Sequence, residues 1–187
     1  MTETNTTETN IKVDFKKFCW RIIAVHMISY FMAGGLAQFV FNYKELITSN
    51  TFSAIMRPYT SSLVALGPSL QAINGFFMAL ILYRIRNQII NEKKGWLTLF
   101  LLVAGFSVFT PQAPAPGSFE GFIYTKFSVV EHLIGLPECF LYAFIFSFGA
   151  YQWFRKPKKI WNILAITIVS LIVIVSILGY LASIQQP

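Results

Sequence analysis

Two glutamates, Glu131 and Glu138, stand inside one long apolar run, with His132 beside the first and Pro137 beside the second. Seven residues complete about two helical turns, so the two carboxyls share one face of an unbroken helix, which Pro137 can shift by kinking it. A carboxylate at the centre of a membrane helix costs on the order of 2.5–3.5 kcal/mol on insertion scales. Such a group is protonated, paired or wet, and that expense marks a functional position. The chemistry open to it is proton carriage, binding of a cation or another ligand, or acid–base work on a lipid. The last is the weakest, because adjacent Glu131 and His132 point about 100° apart on a helix. There is also no HExxH, no GxSxG and no paired-aspartate motif. The residues do not name an enzyme and no cofactor is expected. Whether Glu131, His132 and Glu138 hold a metal is left open at this stage.

A second polar pair lies elsewhere. Gln71 and Asn74, three residues apart, share a helix face in the run 61–83, which Gly67, Pro68 and Gly75 interrupt. Pro68 lacks an N–H and frees a carbonyl near Val64. Arg57 precedes that run, and His26 and Tyr30 fall within the run 18–42, where a buried histidine is either a ligand or a hydrogen-bonded packing group. Glu120 and Tyr124 follow the stiff, proline-rich PQAPAPG segment at 111–117. The candidate pathway or binding site is therefore Glu138, Glu131, His132, Gln71, Asn74 and Arg57, with His26, Tyr30, Glu120 and Tyr124 as secondary members.

The elements that must position these groups are membrane helices. Of 187 residues, 55% are hydrophobic and only 12% charged, against about 25% charged in soluble domains. The chain reads as an all-α, multi-pass membrane protein with about five spans in a compact bundle, at 18–42, 61–83, 95–110, 127–154 and 160–184, two of them kinked by proline. These form one domain, 18–184, after a polar tail at 1–17 expected to be disordered and cytoplasmic. The third run has 16 residues and reaches about 24 Å, short of a hydrocarbon core of about 30 Å. Part of the loop before Arg57, 51–56, is expected to lie along the interface. Ala33 and Ala37, one turn apart, allow another helix to approach closely. Cys19 and Cys139 sit in different spans at different depths, so no disulfide is expected.

Charge orients the bundle. Lys12, Lys16, Lys17 and Arg21, then Arg84, Arg86, Lys93 and Lys94, then Arg155, Lys156, Lys158 and Lys159 fall on one side, against Lys44, Arg57 and Lys126 on the other. Twelve against three predicts a cytoplasmic amino terminus and an extracytoplasmic carboxyl terminus in the cell membrane. The net charge of +7 is thus the charge of loops, and no nucleic-acid partner is expected. Counted from the outer ends, Gln71 and Glu138 lie ten and eleven residues deep, about 15–17 Å, near the midplane. Three functions fit: a polar site open to the outer face serving permeation, proton-coupled transport or ligand binding; a structural or accessory subunit of a larger complex; or a lipid-modifying membrane enzyme. The expected partners are the bilayer and either further copies of the chain or another membrane protein.

Overall fold

The computed structural model describes residues 11–41, 50–109 and 114–185, and their regular structure is entirely helical. Eight helices follow in order: α1 (Phe15–Phe41), α2 (Asn50–Ser53), α3 (Ser62–Arg84), α4 (Arg86–Ile90), α5 (Gly95–Phe109), α6 (Phe119–Tyr124), α7 (Val129–Arg155) and α8 (Lys159–Ile184). Four of them, α1, α3, α7 and α8, with 27, 23, 27 and 26 residues, are long and apolar enough to cross a membrane. At 1.5 Å per residue they measure about 35–40 Å, more than the roughly 30 Å core. The fifth run of the sequence is the shorter α5, with 15 residues, about 22 Å long. Both prolines sit within continuous helices, Pro68 in α3 and Pro137 in α7.

The boundary at the amino terminus differs from expectation. Residues 1–10 lie outside the described residues, but the rest of the stretch 1–17 is not a free tail. Ile11 and Val13 pack against the core, and the Ile11 N–H donates to Asn91 Oδ1 at 2.9 Å. Two apolar side chains were enough to hold a segment whose composition read as polar. The expected interfacial stretch 51–56 holds only the short α2, and of the proline-rich segment only residues 114 onward are described.

Helix α1 is the centre of the bundle and packs on α3, α7 and α8, while α5 packs on the far side of α7 and α8 on the far side of α3. Small residues make these crossings close: Ala24, Ala33 and Ala37 of α1, Ala79 of α3 and Ala143 and Ala150 of α7 are all buried. At one end of the bundle lies the apolar core. Phe18, Ile22, Phe146 and Phe154 are each at most 1% exposed there, and α4 tucks Ile89 and Ile90 beneath them. The three basic clusters meet at this end. The Arg155 guanidinium donates to the Ile90 and Asn91 carbonyls, the Tyr151 hydroxyl to the Lys93 carbonyl at 2.9 Å, and Arg21 lies over the Trp153 and Phe154 rings.

Gly75 sets the spacing of α1 and α3. A Cβ there would stand 2.9 Å from Ile23 Cα and 3.3 Å from the His26 ring, whereas one on Gly67 would meet nothing within 4 Å. Gly75→Ala is expected to destabilise the protein by about 1–3 kcal/mol through overpacking, and Gly67→Ala to leave it unchanged or slightly more stable, as thermal melts of the purified variants in one detergent will show. Equal melting temperatures for the two variants would contradict the packing of α1 on α3.

Candidate functional site

The opposite half of the bundle is hollow. A cavity of about 720 Å³ is lined by the carboxyl-terminal half of α1 (His26, Tyr30, Gly34, Gln38), the amino-terminal half of α3 (Val64, Gln71) and the start of α7 (Glu131, Ile134, Glu138, Cys139, Tyr142). Ser107 at the end of α5, Pro116, and Phe52 and Met56 from α2 and the turn after it complete the wall. The volume falls in the ordinary range for small-molecule sites, about 300–1,000 Å³. Polar residues of α1, α3, α5 and α7 thus share one cavity wall. His26, Gln71 and Tyr142 line the inner end of this cup, with the buried Phe146 ring packed against His26 and Tyr142.

The floor is a hydrogen-bonded chain. Asn74 Nδ2 donates to Gln71 Oε1 at 2.8 Å, His26 Nε2 lies 3.1 Å from the same oxygen, and His26 Nδ1 lies 2.6 Å from the Tyr142 hydroxyl. A carboxamide oxygen only accepts, which assigns the imidazole proton to Nε2. In the neutral ring Nδ1 is then an acceptor and Tyr142 donates to it. A second proton on the ring requires Tyr142 to turn its hydrogen away, and Met78 Sδ at 3.8 Å is placed to take it. The arrangement can thus hold one proton in a fixed place or relay a second.

The two glutamates meet the cavity differently. Glu131 closes a capping box at the start of α7: the Ser128 N–H donates to Glu131 Oε2 at 2.6 Å and the Glu131 N–H to Ser128 Oγ at 3.3 Å. Its carboxylate is committed to the helix terminus although it also lines the cup. Glu138 is half-buried deeper in the wall. Its Oε1 lies against α1 at Gly34, where an added Cβ would stand 3.6 Å away, and Tyr30 and Cys139 are its electrostatic neighbours.

His132 serves another purpose. It is buried, and its Nδ1 accepts the Gly117 N–H at 3.0 Å, so its proton sits on Nε2, which has no hydrogen-bond partner among the described residues. The ring packs edge-on against Phe122 and Phe127, 5.8 Å from each. Gly117 has φ +84°, the left-handed region where glycine costs least. A Cβ on Gly135 would come within 2.8 Å of the Pro116 carbonyl. His132, Gly117 and Gly135 therefore clamp the proline-rich turn onto α7, where Pro116 reaches the rim.

Of the remaining sequence candidates, Arg57 and Tyr124 are exposed and Glu120 stands in the first turn of α6; none of the three lines the cavity. Asn74 is exposed and reaches the cup only through Gln71. Tyr142, Gln38 and Ser107 look like ordinary membrane-helix residues in the sequence, and Cys139 stands out there only as a cysteine without a disulfide partner. The Ser128-x-x-Glu131 pattern before an apolar run was the one readable signal that passed unused. Among the described residues no three His, Cys, Asp or Glu side chains gather as metal ligands would. Comparison of the chain with known families, with characterised proteins and with solved structures gives no match.

Gln71→Leu removes the acceptor for both His26 and Asn74, and is expected to cost about 1–3 kcal/mol, the penalty for a buried donor left without a partner. His26→Leu with Gln71→Leu removes both sides of that bond and should cost clearly less than the sum of the single changes. Additive losses in thermal melts would show that the chain contributes nothing as a unit.

Proposed function

We propose that the chain is a membrane binding protein whose acidic cup opens to the extracytoplasmic face and takes a small cation, such as an organic ammonium ion, with Glu138 as its charged partner. The observation that supports this reading is the wall itself: Glu131 and Glu138 line it with two tyrosines, two glutamines and a histidine, and among the described residues no lysine or arginine does. A cup with fixed negative charge and low-dielectric sides concentrates cations. The hydrogen-bonded floor argues for binding, or for transport by alternating access, rather than for open permeation. The orientation follows from the positive-inside rule, since the basic clusters lie at the end remote from the cup. On this reading α5 is a fifth, short crossing.

A structural role is the second reading, favoured by the floor: His26, Gln71, Asn74 and Tyr142 satisfy one another with no ligand. It does not call on the acidic lining of the cup, free of lysine and arginine among the described residues.

Cys139 provides the test, because it lines the cup while the other cysteine, Cys19, is buried in the packed half. In intact cells, a membrane-impermeant trimethylammonium methanethiosulfonate should modify Cys139 from outside. It should react on the order of tenfold faster than the anionic sulfonate analogue, given the Coulomb energy of a nearby charge. Glu138→Gln should remove that preference, since it takes away the negative charge that draws the cationic reagent. Equal rates for the two reagents in the unaltered protein, or modification from the cytoplasmic side alone, would overturn the proposal.

A further inference from the structure

A second cavity lies at the other end of the bundle and shares no residue with the cup. It is a cleft of about 460 Å³ between α1, α7 and α8, walled by Val25, Ile28, Ile145, Phe148, Leu164 and Ile168, with Lys156 and Lys158 at its mouth. It exists because α8, although joined to α7 by a short turn, packs on α3 and α1 instead, and because Gly149 and Ala165 put no bulk into the gap.

Three observations say what fits it. From Lys158 to Ile168 the cleft runs ten residues along α8, about 15 Å, which is half of a roughly 30 Å hydrocarbon core and hence the depth of one leaflet. Its mouth is cationic on an otherwise apolar wall, with both lysines exposed. Near that mouth Trp153, only 4% exposed, lines the cleft, and its buried indole Nε1–H has no hydrogen-bond partner among the described residues. A buried indole donor without an acceptor is costly, and the tryptophan belt of a membrane lies at the level of lipid carbonyls. Ser29, whose Oγ is likewise unpartnered, marks the deeper wall.

We infer that this cleft is a binding site for one anionic phospholipid of the leaflet at the basic end. An acyl chain fills the apolar gap beside the Trp153 indole, and the phosphate-bearing headgroup sits between Lys156 and Lys158. Neutral lipids meet the same walls without the headgroup contact, so the site selects by charge.

Dibrominated lipids, which quench tryptophan at contact, test this directly, since Trp153 and Trp161 both line the cleft. The full chain carrying Trp20→Phe and Trp96→Phe is reconstituted in vesicles of phosphatidylcholine with a small fraction of either brominated phosphatidylglycerol or brominated phosphatidylcholine. Brominated phosphatidylglycerol should quench at the lower mole fraction. Its advantage should shrink by about fivefold for each of Lys156→Gln and Lys158→Gln, the scale of one basic residue at an anionic surface. Lys93→Gln with Lys94→Gln, on the neighbouring basic loop, should preserve it. Ile168→Phe, which fills the cleft from a partly exposed position, should reduce quenching by both lipids. Equal quenching by the two lipids in the starting protein, or a preference lost as readily with Lys93 and Lys94 as with Lys156 and Lys158, would overturn the proposal.

Discussion

A polar side chain buried among apolar helices is costly unless it finds a partner, and His26 meets that requirement twice over. It sits at 5% exposure on α1, which packs against α3, α7 and α8, with two ring nitrogens facing different neighbours. One is satisfied by Gln71 of α3 and the other by Tyr142 of α7. The same side chain thus fixes the rotation of three helices about one point. The close crossing at Gly75 lets α3 come near enough to reach it. Below this level the helices close on phenylalanine and isoleucine, and above it they diverge around the cup. The division of the molecule into a packed half and a hollow half begins at that histidine.

The division also assigns different work to residues of the same type. Glu131 and Glu138 share a helix face, yet one carboxylate caps its own helix and the other stands in the wall of the cup. His26 and His132 are both buried, but the first joins three helices and the second clamps a turn through Gly117. Arginine is treated similarly: Arg21 is stacked on aromatic rings at the basic end, where its charge stays near the interface, and Arg57 remains exposed. Position along the helix, more than residue type, decides which group is left to meet a ligand.

The long spans were legible from length and hydropathy, because lipid tolerates little else. Counting set Gln71 and Glu138 at a similar depth, and the two residues line one cavity. What could not be read was the partner of each group. Gln71 was set against Glu138 by depth, but the rotation of α3 turns its carbonyl to His26, and rotation depends on packing at Gly75 that no single-span pattern encodes. Tyr142 was invisible for the same reason: one more aromatic residue among 31 Phe, Trp and Tyr carries no sign of its hydroxyl's neighbour. The polar look of 1–17 concealed the contacts of Ile11 and Val13, since two apolar residues do not register in composition.

The central claim is that the carboxylate of Glu138 is the group that meets a cation in the cup. Infrared difference spectroscopy of the reconstituted protein, recorded on adding ethylammonium chloride against an equal addition of sodium sulfate, reads that group itself. The account predicts a perturbed carboxylate stretch that disappears in Glu138→Gln while the amide bands of the two proteins coincide. A spectrum unchanged by ethylammonium, or a perturbation that persists in Glu138→Gln, would contradict it.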